Sequence, residues 1–309
     1  MELNGGEVKL TNGVVNLCRQ AATTGTLRLN GGTLTAQNIV TTRGTSKLYF
    51  NGGKYVPLAD VEANQTLSGL TSAYVSTNGA WIDTGSVTCG VYTVAQALLR
   101  DPALDAVTAD GGLHKLGAGT LVLSGANTYT GMTIIAEGTL RVTGQPSLSP
   151  DITLANNTTL DLNGTACSVT NLILDRGLVL PQVMNGSLTV NGSLVLGGTE
   201  ADDAEVYTTT NLTIASDATL QTTPGNLLNV EGDLTCPTRM TVDFGLDGEE
   251  EGIALGTKIA LATFTGNCTP PSSIKARNYG DATGTFLPTV EGKTLYLTFR
   301  FGGTIIFVR

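Results

Sequence analysis

The chain has 309 residues with 39 Gly, 14% charged residues, 5% aromatic residues and a formal net charge of −9. Soluble domains carry about 25% charged residues and about 7% Gly, so charge is low and Gly is high, while 41% hydrophobic residues are too many for a disordered protein. The acidic balance excludes nucleic acid and anionic membrane surfaces as expected partners, and no apolar run approaches the roughly 20 residues of a membrane helix.

A short apolar unit that ends in Gly recurs from the N terminus onward. Residues 27–32 read Leu-Arg-Leu-Asn-Gly-Gly, and residues 48–53 read Leu-Tyr-Phe-Asn-Gly-Gly. Alternating apolar positions are typical of a strand with one buried face, and Asn-Gly is typical of a turn. Strands this short bury too little surface alone. We therefore expect a coiled parallel solenoid with about 20 residues per coil and roughly 13 to 15 coils.

The corner that follows each strand is expected to stack on the next corner. In that arrangement the side chains of Asn30 and Asn51 form amide-to-amide hydrogen bonds along the solenoid axis. The rival all-β interpretation is an antiparallel sandwich or barrel, which requires longer strands and two-residue hairpins. Such strands are rare before residue 255, so the pattern favours the solenoid.

Residues 93–100 interrupt the strand pattern. This stretch, Thr-Val-Ala-Gln-Ala-Leu-Leu-Arg, has no Gly, its apolar residues recur at spacings of three and four, and Asp101-Pro102 follows it. Those features are typical of a helix with a stop signal. We predict a short helix near 93–100 that decorates one coil.

Residues 115–142 carry the most specific pattern in the chain. They read Lys-Leu-Gly-Ala-Gly-Thr-Leu-Val-Leu-Ser-Gly-Ala-Asn-Thr-Tyr-Thr-Gly, then Met-Thr-Ile-Ile-Ala-Glu, then Gly-Thr-Leu-Arg-Val. This segment closely resembles the autotransporter-associated β-strand repeat, also called the passenger-associated transport repeat, of bacterial surface and secreted proteins. Every fixed position of that repeat is present, in one full copy.

The resemblance implies a right-handed parallel β-helix at the surface of, or released from, a Gram-negative type of bacterium. It also implies that the repeat helps a passenger fold and be secreted, and that no motif residue is catalytic. Family members usually begin with a signal peptide and often end in a membrane-embedded translocator barrel. Neither is recognised in this sequence, so we expect a fragment of a longer protein, or export by a route without an attached barrel.

Strands lengthen toward the C terminus. Leu295, Leu297 and Phe299 alternate with polar residues, which is typical of a half-buried antiparallel strand. We predict a parallel β-helix over residues 1–245 and a β-rich antiparallel cap over residues 246–309, because a solenoid needs its last coil covered.

Two groups of carboxylates are candidates for chemistry. Asp202 and Asp203, with Glu205 nearby, are the adjacent acidic pair that glycoside hydrolysis on a solenoid would use. The densest acidic group is Asp243, Asp247 and residues 249–251, where the alternatives are a weak divalent-ion site and a charged turn. For both groups we favour the interpretation as solvated loops without a catalytic or metal-binding role.

The remaining candidates are single residues or small groups. His114 has no second His and no nearby Cys for a triad or metal site, and Ser124 is interpreted as a turn residue. Trp81 with Tyr74 and Tyr92 is either a small sugar platform or, more in keeping with the pattern, packing under the predicted helix. The five cysteines are interpreted as small buried apolar residues, with one disulfide left open. They are Cys18, Cys89, Cys167, Cys236 and Cys268.

These observations predict a structural protein without a catalytic, cofactor-binding or metal site. We expect a passenger or stalk module of an autotransporter-like surface protein, with adhesion to glycans or surface proteins as a further expectation and a monomeric or end-to-end assembly. The alternative is a pectin lyase-like enzyme, a glycoside hydrolase or a glycan-binding domain on the same scaffold. A groove with converging carboxylates or aligned aromatic residues would favour that alternative.

Overall fold

The computed structural model describes residues 1–11, 13–58, 66–85, 90–144, 148, 151–155, 157–174, 184–197, 206–209, 211–246, 253–254, 256–279 and 285–300. The chain divides into two compact units, Met1–Cys167 and Ser168–Arg309. Within the described ranges both units consist of β-strands joined by turns, without helices, and so no helix there has the length and apolar character to cross a membrane.

The first unit contains sixteen strands and the start of a seventeenth. They are β1 (Glu2–Lys9), β2 (Val14–Asn16), β3 (Thr24–Ala36), β4 (Asn38–Val40), β5 (Thr45–Phe50), β6 (Lys54–Pro57), β7 (Thr66–Leu67), β8 (Ser72–Val75), β9 (Ala80–Asp83), β10 (Val91–Val94), β11 (Leu98–Arg100), β12 (Leu113–Leu116), β13 (Thr120–Leu123), β14 (Thr133–Ile135), β15 (Thr139–Val142), β16 (Asp151–Leu154) and β17 (Thr159–Leu174).

Consecutive coils of this unit pair in parallel along three ladders. The first ladder runs through β3, β5, β8 and β11. The second runs through β3, β6, β9, β12, β14 and β16, and the third through β7, β10, β13, β15 and β17. The predicted parallel β-solenoid is therefore confirmed.

Side chains at equivalent register positions stack inside and at the corners. Leu27, Leu48 and Leu98 belong to one inward column and are fully buried. At the corner, the side-chain amide of Asn51 donates to Oδ1 of Asn30 at 3.2 Å, as predicted. The same ladder continues in both directions, to Asn4 at 2.8 Å and to Asn78 at 3.2 Å.

Coil length varies more than the single period expected from the sequence. Leu113 pairs with Ala80 on the preceding coil and with Thr133 on the following one, so the first of these two coils is much longer than the second. The longer coil includes a loop after β11, where the Arg100 guanidinium donates to the carbonyl oxygen of Thr108 at 2.7 Å. Such loops leave less of the chain for coils, so the described residues form about 8 turns and the prediction of 13 to 15 coils is wrong.

The predicted helix near 93–100 is also wrong. Residues 91–94 and 98–100 form β10 and β11, and a corner at Ala95–Ala97 joins them. Val94 and Leu98, four residues apart, are both fully buried, but they point into the core from two different ladders. Backbone pairing with β7 and β8 of the preceding coil determines this conformation, because tertiary pairing overrides a local helical pattern.

The second unit includes the end of β17 and twelve further strands. They are β18 (Met184–Leu196), β19 (Val206–Thr209), β20 (Asn211–Ile214), β21 (Thr219–Gln221), β22 (Leu227–Val230), β23 (Leu234–Thr235), β24 (Arg239–Leu246), β25 (Lys258–Phe264), β26 (Cys268–Thr269), β27 (Ser273–Tyr279), β28 (Thr285–Glu291) and β29 (Thr294–Arg300).

Parallel coils in this unit end at an antiparallel hairpin. One ladder runs through β18, β20, β23 and β26, another through β18, β21, β24 and β27, and a third through β19, β22 and β25. Strand β29 then pairs antiparallel with both β25 and β28. The predicted C-terminal antiparallel sheet is confirmed, whereas the domain boundary after residue 245 stays a prediction.

Candidate functional site: buried polar caps in residues 110–138

A lysine occupies a core position in the second ladder. Alternation along β12 points Leu113 and Lys115 inward, and Lys115 pairs in register with Ile82 on one side and Ile135 on the other. All four side chains are fully buried. A buried charge is costly unless every donor finds an acceptor, so the surroundings of this ammonium group decide whether the coil is stable.

Three backbone carbonyl groups surround the Lys115 ammonium. Its Nζ donates to the carbonyl oxygens of Leu116 at 3.0 Å, Gly117 at 2.5 Å and Glu137 at 2.8 Å. A lysine ammonium has three donors, so each of them has a partner. Burial lowers the pKa of Lys115 to about 8, while the carboxylates of Asp83 and Glu137 act in the opposite direction. We call this arrangement the lysine cap, made of Lys115 Nζ and these three carbonyl oxygens.

Glycine at two turns allows the coils to approach closely at the lysine cap. Gly117 has φ +75°, and a Cβ atom there would lie 2.1 Å from the backbone nitrogen of Gly85. Gly138 has φ +67°, and its Cβ would lie 2.6 Å from the carbonyl oxygen of Gly117. Because backbone atoms are the obstacle in both cases, a side chain at either position would push neighbouring coils apart.

The carboxylate of Asp110 accepts hydrogen bonds from backbone amides, whereas Lys115 in the lysine cap donates to backbone carbonyl groups. Oδ1 of Asp110 accepts hydrogen bonds from the amides of Gly112 and Gly131, both at 2.9 Å. Its Oδ2 accepts from the amide of Thr130 at 2.7 Å and from the Thr130 hydroxyl at 3.2 Å. Asp110 is only 5% exposed, so this buried carboxylate links the turn before β12 to the turn before β14. We call it the aspartate cap.

Further polar residues of the segment are also buried and make hydrogen bonds. Oδ1 of Asn127 accepts from the amide of Leu98 at 2.9 Å on the preceding coil. The hydroxyl groups of Tyr129 and Thr133 lie 2.7 Å apart, and Thr133 is fully buried. The polar residues of this segment therefore hold neighbouring coils and turns together.

His114 lies outside these caps on the outward face of β12. Its ring stacks on the ring of Trp81 from the preceding coil, with centroids 4.0 Å apart and planes within 5°. Its Nε2 lies 3.3 Å from the carbonyl oxygen of Gly111, and burial lowers the pKa of His114. Ser124 is exposed at the end of β13, where its amide donates to the carbonyl oxygen of Val94.

The three aromatic residues considered as a sugar platform are not brought together. Trp81 stacks on His114, whereas Tyr74 contacts Tyr49 in the first ladder with ring centroids 5.0 Å apart. Tyr92 is fully buried in the third ladder, where its hydroxyl lies 3.1 Å from that of Tyr55. Since the predicted helix does not form, packing beneath it is excluded as well.

Most of the candidate carboxylates fall outside the described residues. Asp202, Asp203, Glu205, Asp247 and the glutamates at 249–251 all do so. Asp243 lies on β24, where its Oδ1 accepts from the amide of Gly245 at 3.1 Å. Over the ranges that are described, His, Cys, Asp and Glu do not form a group of three able to hold a metal ion.

Four of the five cysteines are described, and all four are free thiols. Cys18, Cys167 and Cys236 are buried, and Cys268 is half-buried. Burial raises the pKa of Cys167 to about 11 and that of Cys236 to about 12. The Cys167 and Cys236 thiols are therefore protonated near neutral pH. Burial is as predicted for Cys18, Cys167 and Cys236 but not for Cys268, and Cys89 lies outside the described residues.

The sequence interpretation missed both caps. Period-two alternation from Leu113 places Lys115 on the same inward face, so the strand pattern carries the signal for a buried lysine. No comparable pattern marks Asp110, because its acceptors and donors meet only when one coil closes on the next. The strand pattern could therefore have revealed the lysine cap, whereas no sequence signal could have revealed the aspartate cap.

Comparison with known proteins agrees with the recognition of the repeat. Residues 113–142 match the family described as the passenger-associated-transport-repeat. The match covers β12 to β15 and includes the lysine cap. Searches among curated proteins and among solved structures found no match to the chain. The repeat and the β-solenoid together fit an autotransporter passenger-type module.

Proposed function

We propose that this chain is a non-catalytic passenger or stalk module of an autotransporter-like bacterial protein, located outside the cell or at its surface. The proposal rests on the observation that fixed residues of the family motif make structural contacts in this chain. Lys115, Asn127 and Tyr129 are buried, and Lys115 Nζ, Asn127 Oδ1 and the Tyr129 hydroxyl make hydrogen bonds within and between coils. A motif whose buried polar atoms mostly bond other parts of the coils builds a scaffold.

The repeat aids folding after export by fixing how one coil stacks on the next. Its coils are short, because the chain returns to pair Leu113 with Thr133 and Thr120 with Thr139 without any long loop between them. Short loops reduce the entropy lost when a coil closes. The lysine and aspartate caps then fix the register, so that each completed coil is a template for its neighbour.

A display experiment tests this proposal. The full chain is placed between a signal peptide and a translocator barrel in a Gram-negative host, and the fraction that an antibody labels on intact cells is measured before and after protease treatment. We expect the parent chain to be displayed as a folded, protease-resistant product. Retention of the parent chain in the periplasm would contradict a passenger role.

A matched pair of variants isolates the contribution of the repeat. Gly117→Ala disrupts the repeat, and Leu48→Ala removes a fully buried side chain on β5, outside it. If the repeat aids secretion, Gly117→Ala reduces display more than a Leu48 variant with the same melting temperature. If the two variants have equal stability and are displayed equally well, the repeat has a scaffold role but no specific role in secretion.

Adhesion to glycans or surface proteins is a further part of the proposal. The competing hypothesis is an enzyme or lectin on the same scaffold. Stacking disfavours a sugar platform at Trp81, because the His114 ring covers one of its faces at 4.0 Å. Glycan binding and release of reducing ends from pectin are the direct assays. Hydrolysis that is lost in an Asp203→Asn variant would establish the enzyme instead.

A further inference from the structure

We propose that the carbonyl oxygens of Leu116, Gly117 and Glu137 form a binding site for a primary ammonium ion, which Lys115 fills with its own side chain. When the lysine side chain is removed, the site accepts a free alkylammonium ion of matching length. This inference does not depend on the proposed passenger role, because it concerns only the atoms around Lys115.

The geometry fits a charged group with three donors. The three oxygens lie at 3.0, 2.5 and 2.8 Å from one nitrogen atom. A neutral amine has two hydrogens and a lone pair, so one of the three carbonyl oxygens would face that lone pair. An ammonium ion satisfies all three oxygens at once.

The site is built from backbone rather than from a carboxylate partner. Within the described part of the chain, no carboxylate oxygen lies within 4.0 Å of Lys115 Nζ, and the nearby carboxylate of Asp83 pairs with Lys54 Nζ at 3.1 Å. The carbonyl oxygens of Leu116 and Gly117 also face the Thr84 hydroxyl, at 3.2 and 3.4 Å.

The Glu137 carbonyl depends most on the cation. Its hydrogen bond to Lys115 Nζ joins the turn before β15 to β12, beside the hydrogen bond from the Ala136 amide to the carbonyl oxygen of Lys115 at 2.9 Å. Without the ammonium this oxygen loses that donor. The position therefore favours a group that donates hydrogen bonds, whereas a hydrocarbon side chain of the same length fills only the space.

Chemical rescue tests the site. Lys115→Ala removes the atoms of n-propylammonium, and we expect its melting temperature to fall by on the order of 10 °C. Added n-propylammonium chloride should raise the melting temperature of this variant by about 4 °C at ten times its dissociation constant. Sodium chloride and tetramethylammonium chloride at the same ionic strength should not, because neither donates hydrogen bonds.

Ile135→Ala is the matched control. Ile135 is the register partner of Lys115 in the same inward column and is fully buried, so its removal leaves an apolar space without converging carbonyl oxygens. Propylammonium should leave the melting temperature of this variant at the sodium chloride value. An equal rise in both variants would show unspecific stabilisation and overturn the proposal.

Lys115→Met keeps the experiment decisive if Lys115→Ala does not fold. A Met variant that melts at the parent temperature would overturn the proposal, because hydrocarbon alone would then satisfy the site. If the Ala variant is unfolded by itself, its refolding is followed by circular dichroism with and without propylammonium. Recovery of the β signal only with propylammonium supports the site, and no recovery contradicts it.

Discussion

The Nζ atom of Lys115 lies 2.8 Å from the carbonyl oxygen of Glu137 on the next coil. The lysine is fully buried in a column between Ile82 and Ile135, so this hydrogen bond is made in the core of the solenoid. It holds the turn before β15 against β12. Register between these coils therefore depends on a buried hydrogen bond as well as on apolar stacking.

The free energy of unfolding should rise with pH just above neutrality. Burial lowers the pKa of Lys115 to about 8 in the folded chain, against about 10.4 in an unfolded chain. Between these values the unfolded chain binds more protons, so stability increases with pH, by about 2 kcal/mol from about pH 7 to about pH 9.5.

Urea unfolding of the parent and of Lys115→Met over this pH range isolates the effect. The parent minus variant difference should grow in favour of the parent as the pH rises, since only the parent carries the titrating lysine. A difference that is constant with pH would mean that the Lys115 pKa is the same in the folded and unfolded chains.

Gly117→Ala should destabilise the chain by at least about 3 kcal/mol, because the added Cβ collides with backbone atoms as well as straining φ. Gly69 provides the comparison: it has φ +73° against +75° at Gly117, but open space around its Cβ position. Gly69→Ala should cost only about 1–2 kcal/mol, the conformational part. Equal losses by chemical denaturation would show that close approach of the coils is unimportant.

Asp110→Asn should lower the free energy of unfolding by about 3 kcal/mol, because one oxygen of the aspartate cap becomes an NH₂ group that faces backbone donors. The comparison is Asp105→Asn, whose carboxylate is exposed and bonds only Val107 and Thr108 in its own loop. The Asp105 variant should keep the parent urea midpoint. A stable Asp110 variant would show that the carboxylate does not hold the two turns.

Asn51→Ala should cost about 1 kcal/mol by interrupting the corner ladder. Asn51 bonds Asn30 on one side and Asn78 on the other, whereas Asn4 bonds only Asn30 within this ladder. Asn4→Ala should therefore cost less than Asn51→Ala in the same thermal melts. The reverse order would mean that the ladder contributes nothing beyond individual surface contacts.

Much of the fold follows from local pattern. Alternation in Leu27-Arg28-Leu29, followed by Asn-Gly, indicates a short strand and a corner, and short strands have to stack. The corner bond between Asn30 and Asn51 follows from the same repeat. The antiparallel pairing of β29 is indicated by its seven-residue alternation.

The wrong and missed predictions concern features that depend on contacts between coils. Val94 and Leu98 have helical spacing, yet each joins a strand of the preceding coil. The aspartate cap joins Asp110 to Gly131 on the following turn, and nothing local marks that contact. Loops such as the one held by Arg100 lengthen individual coils, so a single period does not predict how many coils form.

Disulfide trapping tests the parallel register of the repeat most directly. Thr120 and Thr139 are register partners on adjacent coils, where Cα atoms about 5 Å apart suit a disulfide. Thr120→Cys with Thr139→Cys should cross-link rapidly on mild oxidation, as identified by peptide mapping. Thr120→Cys with Thr159→Cys, two coils apart, should not, and preferential cross-linking of this second pair would contradict the stacked parallel coils.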